Sequence, residues 1–349
     1  MLIDRYIIHE ISRPLMAIFA ILLVIFVSYS ASHYLADAVS GQLSRSTVMS
    51  LILLKTIIAL EILLSMALYL SIALTMRRLC TDFEMTALAV SGVSNIRIFF
   101  IILKLCLLFA MLIACLSLFV RPWAYKELYR LKTQAKTKFD IAQMEPGHFH
   151  SIGPKSRVVF AEKVDSHKNR AERVFIQDEH NGALQVTCAE QVYQKVDMTS
   201  GDRILFFLNG YRYKFAFNRE ADQILKFKQF IIHLPKETMP VEYKSKATSI
   251  MQLARSDDPE DIAEFQWRLS MPLSTVLLGL LAVPLSRTAP WQGKSIKTPA
   301  AVVIFAVYYN SVLMAKTWVG HGAVGSVPGI WWVHALLACL FLALIWKQR

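Results

Sequence analysis

Apolar residues gather in three long runs near the amino end of this chain, give way to a polar stretch from Arg121 to Arg268, and return in three further runs. A hydrocarbon core of roughly 30 Å needs about 20 mostly apolar residues in a helix, and a helix satisfies its own backbone hydrogen bonds there. Pro14–Ser32, Leu51–Met76, Ile98–Val120, Leu269–Ser286, Thr298–Ala315 and Ile330–Trp346 are therefore predicted to span a membrane, and an even number of spans puts both ends on one side. Only Lys55 and Glu61 interrupt the second run.

In the polar stretch the period changes to two. Arg157–Val164, Arg173–Gln177, Ala183–Ala189, Ile204–Leu208, Tyr211–Phe215 and Leu225–Ile232 read as β-strands. Asn181-Gly182 and Asn209-Gly210 fall between strand candidates and are predicted as hairpin turns, because positive φ at both turn positions matches strand twist. Tyr125–Gln143 and Ile250–Trp267 carry helical patterns that would tether this antiparallel β-domain to spans three and four, with a break and restart at Asp257-Asp258-Pro259. The predicted fold is an α-helical membrane protein with six transmembrane helices in a 3+3 plan, residues 1–120 and 269–349, and an inserted all-β domain over 121–268.

Charge gives this plan a direction, since translocation disfavours lysine and arginine in short flanks. Arg5 and Arg13, then Arg77, Arg78 and Arg97, then Arg287, Lys294 and Lys297, and finally Lys347 and Arg349 would all share one side, against Arg45 on the other. Both termini are expected in the cytoplasm and the β-domain outside, in the periplasm of a Gram-negative cell. Met1–Arg13 runs straight into a full-length span, so the amino end is expected to be retained.

Composition agrees: 55% hydrophobic is high for a soluble chain and 18% charged is too much for spans alone. Of the net charge of +12, the stretch from Arg121 to Arg268 holds +4 and the remainder +8, as topology and an anionic lipid surface require. No nucleic-acid partner is expected. Of five cysteines only Cys188 falls in the polar stretch, which excludes a disulfide within it.

Catalytic motifs are absent. Gly293-Lys294-Ser295 resembles the end of a phosphate-binding loop but has Thr288 where the first glycine belongs and follows a span, not a strand. His148 and His150 could share one side of a strand, yet lack further ligands nearby and read as a solvated loop. No metal or cofactor is expected on this chain.

Between spans two and three, Thr81-Asp82-Phe83-Glu84 has the spacing of a capping box and Ser91-Gly92 that of a helix stop, which predicts a short helix over about 82–91 at the membrane surface. Such a helix suits another protein's groove, although Glu84 would serve equally well merely to complete the cap.

The opening Asp4-Arg5-Tyr6-Ile7, the segment Leu79-Cys-Thr-Asp-Phe-Glu-Met-Thr-Ala-Leu-Ala-Val-Ser-Gly-Val-Ser94, and Phe265-Gln-Trp-Arg-Leu269 with Val283-Pro-Leu-Ser286 resemble the LptF/LptG family of lipopolysaccharide-export permeases over essentially the whole chain. Val283-Pro-Leu-Ser286 followed by Gln292-Gly293 is similar to its LptF branch. The resemblance implies an LptG-like permease partner, an LptB-like ATPase dimer that carries ATP and Mg, LptC-like and LptA-like periplasmic proteins, and a β-jellyroll that passes lipopolysaccharide onward. It makes the short helix the coupling helix, with Glu84 as its first-turn acid, Arg78 and Asp82 adjacent, and Leu88 and Gly92 in the same segment. One departure is that Lys55–Leu70 lacks the proline that the family often has early in span two.

On this topology Arg45, Lys55 and Lys316 could ring the outer mouth and meet the phosphates and acidic sugars of the lipid, where otherwise they would snorkel to ordinary head groups. Phe26, Tyr29, Leu63, Met66, Tyr308 and Met314 are candidates for lining an apolar cavity and equally for packing helices. Glu61, with Ser65 and Tyr69 at helical spacing, makes a polar stripe in span two and needs a partner or a proton in hydrocarbon; a structural role facing the protein interior is expected. Three rival readings remain: an exporter of another lipid or lipoprotein, a membrane-bound enzyme of envelope assembly, and a scaffold joining inner membrane to periplasm.

Overall fold

The structure, a computed structural model, describes residues 2–39, 45–137, 146–152, 157–165, 170–180, 183–196, 203–216, 222–234, 244–286 and 297–347. It divides into two compact units: Met1–Ser30, Leu53–Glu127 and Tyr243–Arg349 form the first, Ala31–Ile52 and Leu128–Glu242 the second.

The apolar runs fold as helices longer than hydropathy alone marks, because the periodic pattern continues into polar flanks. They are α1 (Leu2–Val39), α2 (Arg45–Thr81), the short α3 (Glu84–Val90), α4 (Asn95–Cys115), a π-helical turn (Leu116–Val120), α5 (Arg121–Thr137), and, after the sheet, α6 (Ile250–Leu253), α7 (Pro259–Ser286), α8 (Lys297–Gly320) and α9 (Trp331–Lys347). Five of the described helical stretches are long and apolar enough to cross a membrane, whereas the sixth apolar helix, Trp331–Trp346, is shorter. The break at Asp257-Asp258-Pro259 has a specific cause: Asp258 Oδ1 accepts from the Glu260 amide at 3.0 Å, with Pro259 as the first helical residue.

Helix α7 is the axis of the first unit. It packs against α4, α8 and α9, and two thirds of its apolar window (67%) is buried against 11% for α1, so α1 leaves most of its apolar surface outward. Gly279 permits a close approach of α4, since a Cβ there would lie 2.3 Å from Cys106 Sγ.

The second unit contains a six-stranded antiparallel sheet, β1 (Phe149–Ile152), β2 (Arg157–Asp165), β3 (Arg170–His180), β4 (Ala183–Val196), β5 (Arg203–Ala216) and β6 (Gln223–Leu234), paired in chain order. This is a meander; among the described strands there is no crossover of the kind a jellyroll uses. Its alternation carries a defect that every strand but β1 shares. Ala161 and Val164, Val174 and Ala171, Ala189 and Val192, Gly210 and Phe207, and Phe227 and Phe230 all turn to one core, yet the members of each pair are three residues apart. Period two demands an even separation, so the facing of each strand switches between them. The pairing skips one level at the same place, where Glu162, Arg173, Glu190, Asn209 and Lys228 stand opposite one another, with Arg173 and Asn209 at positive φ (51° and 48°). The sheet thus has a crease, and both leaves present apolar side chains to one cluster. Along it side chains bond where the backbone does not: Arg173 to Glu162 at 2.6 Å and Asn209 to Glu190 at 3.3 Å.

The crease corrects one sequence expectation. Asn209-Gly210 is no hairpin turn but the middle of β5, its positive φ used for the crease; a Cβ on Gly210 would lie 2.3 Å from the Cys188 carbonyl oxygen. Asn181-Gly182 lies outside the described residues.

Candidate functional site

Two polar clusters lie at opposite ends of the part of α2 that belongs to the first unit. At one end Glu264 of α7 accepts hydrogen bonds from Arg121 Nε at 2.9 Å, from Arg268 Nε at 3.2 Å and from Lys316 Nζ. Arg121 also donates to Glu61 Oε1, which Trp267 Nε1 approaches at 3.4 Å. Trp267 further offers its ring to two cations, Lys316 Nζ at 4.6 Å and the Arg121 guanidinium at 5.7 Å from the centroid. Arg268 reaches across to a 3-10 turn (Ser245–Ala247), donating to the carbonyls of Thr248 (2.8 Å), Lys246 (3.1 Å) and Ser245 (3.3 Å). Glu61, Glu264 and Arg268 are each at most 1% exposed.

Five charges leave water here, which is tolerable only with nearly complete pairing. The π-helical turn helps, because one residue more than an α-helix would use rotates everything after it by about 100°, and Arg121 is the next residue. Three cations against two carboxylates leave a formal excess of one positive charge, and Glu61 Oε2 has no hydrogen-bond partner among the described residues.

At the other end lies α3. None of its residues is buried, though Met85 and Leu88 pack partly against the core. It ends in a Schellman arrangement: Gly92, at φ 83°, donates to Ala89 O at 3.0 Å and Val93 to Leu88 O at 2.9 Å. Its start differs from the expected capping box. Phe83 occupies the cap position in the left-handed region without a side-chain bond, and the Thr81 hydroxyl turns back to Arg77 O at 3.0 Å, so Thr81 closes α2 instead of opening α3. The first turns of α1 bind the segment from outside instead: Tyr6 donates to Glu84 Oε2, Arg97 of α4 pairs with Asp4 at 3.4 Å, and Arg78 of α2 pairs with Glu10. Ile7 and Ile11 lie fully buried between them.

Helix α2 joins the two clusters, and Glu61 and Arg78 stand roughly 25 Å apart along it at 1.5 Å per residue. Between them hydroxyls pin it to its neighbours: Ser65 to Thr275 at 3.0 Å, Tyr69 to Ala301 O at 3.1 Å, Ser71 to Ile11 O at 2.5 Å and Thr75 to Glu10 O at 3.2 Å.

The sequence-predicted residues divide accordingly. Arg78 and Glu84 are bonded to α1, Asp82 is exposed, and Leu88 and Gly92 form the helix stop. Lys316 is held on Glu264 instead of standing open; Lys55 is half-buried; the Arg45 side chain lies outside the described residues. Leu63 and Tyr308 are buried in the helical core, Tyr308 bonded to Ser274 at 2.6 Å, whereas Tyr29 and Met314 are exposed, Phe26 and Met66 half-buried. Glu61 faces the interior and gains the partner that spacing could not name, Arg121. Arg121, Glu264 and Glu10 escaped the sequence reading, where the available signal was a charge placed at the edge of an apolar run instead of in a loop, and Tyr6 entered it only within the opening motif.

The family profile described as lipopolysaccharide export system permease LptF/LptG matches residues 5–347. The lipopolysaccharide export system permease protein LptF of Escherichia coli K12 is 23% identical over 348 residues, covering 99% of this chain and 94% of that protein. The protein of the same description from Shigella flexneri matches to the same extent.

Proposed function

Because the chain belongs to the LptF/LptG family of lipopolysaccharide export system permeases, we propose that it is one permease subunit of an ATP-driven complex that lifts lipopolysaccharide out of the outer leaflet of the inner membrane. In this reading α9 is the sixth span, both termini and α3 are cytoplasmic, and the creased sheet is periplasmic. An LptG-like subunit completes the cavity, an LptB-like ATPase dimer holding ATP and Mg receives α3, and LptC-like and LptA-like proteins take the lipid from the sheet. The chain itself hydrolyses nothing.

The carrying observation is the contrast within α2: a helix pinned along its length links an exposed short helix, suited to an external groove, to the buried cluster at the far end. Motion of α3 would reach the outer half as a displacement of the whole helix, not as local bending. Acyl chains would lie against outward apolar residues such as Tyr29 and Met314, and phosphates near Lys55 and the excess positive charge around Lys316.

A photo-crosslinking residue at Met314 in the assembled complex tests this reading. Lipopolysaccharide adducts that decline when ATP is added are expected; phospholipid adducts alone, unchanged by ATP, would overturn it in favour of the scaffold.

A further inference from the structure

Resting on the reading of α3 as the coupling helix, we infer that Tyr6 is a positioning residue for that helix: its hydroxyl fixes the Glu84 carboxylate in the orientation the ATPase meets. The argument starts from what α3 lacks. A seven-residue helix is unstable alone, this one buries none of its residues, and its cap position makes no side-chain bond. The Schellman arrangement fixes only its end. At its first turn Met85 packs partly against the core, and the side-chain hydrogen bond comes from outside, Tyr6 to Glu84 Oε2.

Helix α1 is built to do this. At about 100° per residue, Ile3, Ile7 and Ile11 form one stripe, packed into the core with Leu79, Val93 and Ile98 from the segments flanking α3. Asp4 borders the stripe on one side and Tyr6 and Glu10 on the other, and each bonds a different element: Arg97 of α4, Glu84 of α3, Arg78 of α2. The start of α1 therefore acts as a splint across the α2–α3–α4 turn, in which only the Tyr6 contact touches α3 through a side-chain hydrogen bond. A carboxylate offers about four acceptor sites, so this bond sets the rotamer of Glu84 and leaves acceptor capacity for a donor on the ATPase.

The test uses the whole complex, with ATPase and partner permease, in vesicles containing lipopolysaccharide, and reads lipid released per ATP hydrolysed. Glu84→Ala is expected to lower that ratio by roughly tenfold or more, and Tyr6→Phe by roughly threefold, the scale of one exposed hydrogen bond, with the amount of assembled complex unchanged. In the Glu84→Ala background Tyr6→Phe changes nothing further. Para-aminophenylalanine at position 6, which keeps a donor on the ring, restores the ratio. If Glu84→Ala impairs release while Tyr6→Phe does not, or if the two effects multiply, Tyr6 has no positioning role and the coupling role of α3 stands. If Glu84→Ala leaves the ratio unchanged, the coupling reading itself fails and the inference with it.

Discussion

The two ends of α2 use the same chemistry under opposite conditions. Around Glu264, arginines, carboxylates and an aromatic ring sit out of water, with side-chain exposures of 6% or less for Arg121, Glu61 and Glu264. Around Glu84 the same residue types reach water, Arg78 and Arg97 each at 48% and Asp4 at 39%, with Glu10 at 11%. A buried charge that loses its partner cannot turn to water, so the first cluster is hard to dismantle; an exposed pair exchanges one partner for another at little cost. The difference separates a fixed joint from a contact that can be handed to another protein.

The most severe way to probe this contrast is Glu264→Gln, which leaves Arg121, Arg268 and Lys316 without their shared counter-ion. A loss of about 3–5 kcal/mol is expected, read as a fall in the melting temperature of the detergent-solubilised protein; an unchanged melt would mean that the cluster is wetter than its burial indicates. Removing Glu61 and Arg121 together, as Glu61→Leu with Arg121→Met, takes away one charge of each sign. The double variant should be more stable than the two single losses add up to, with a coupling of about 0.5–3 kcal/mol. At the exposed end, Gly92→Ala forces a side chain into φ 83° at a cost of about 1–2 kcal/mol. Its effect should be confined to α3, as faster amide exchange over residues 84–92 with the global melt unaltered. The smallest change is expected from Glu10→Gln, below about 1 kcal/mol and abolished in 1 M salt, where screening acts within roughly 3 Å, whereas the Glu264→Gln penalty should survive the same salt.

Which of these features the sequence revealed follows from the range of the interaction. Helices α1, α2, α4, α7 and α8 are legible because their signal lies within about 20 neighbouring residues, and Ser91-Gly92 is legible because a helix stop is local. The buried cluster is not, since Arg121 lies 60 positions from Glu61 and 143 from Glu264, and Trp267 lies 206 from Glu61. Thr81 and Asn209-Gly210 mislead for a different reason: a capping box and a turn dipeptide state a local preference, and tertiary packing overrode each. The Phe265-Gln-Trp-Arg segment, which in the sequence carries only a resemblance, has a physical role at each polar position. Gln266 donates to Ser326 O at 2.7 Å and accepts from the Ile330 amide at 2.9 Å, Trp267 lies against two cations, and Arg268 anchors the 3-10 turn.

The crease in the sheet sets a rule for changing chain length. In an ordinary strand a single deletion shifts everything beyond it to the opposite face, and here each of β2 to β6 already contains one such shift, at a common level. Deleting one residue between Ala161 and Val164, or between Phe207 and Gly210, would give that strand an even spacing across a crease where its paired neighbours still switch their facing, and so turn one leaf's apolar side chains outward while the neighbours kept theirs inward. Glu162, Glu190 and Lys228 are open to variation in kind, Arg173 and Asn209 less so because each holds a positive φ, and the count of residues there is fixed jointly for five strands, so length is free to vary at the strand ends instead.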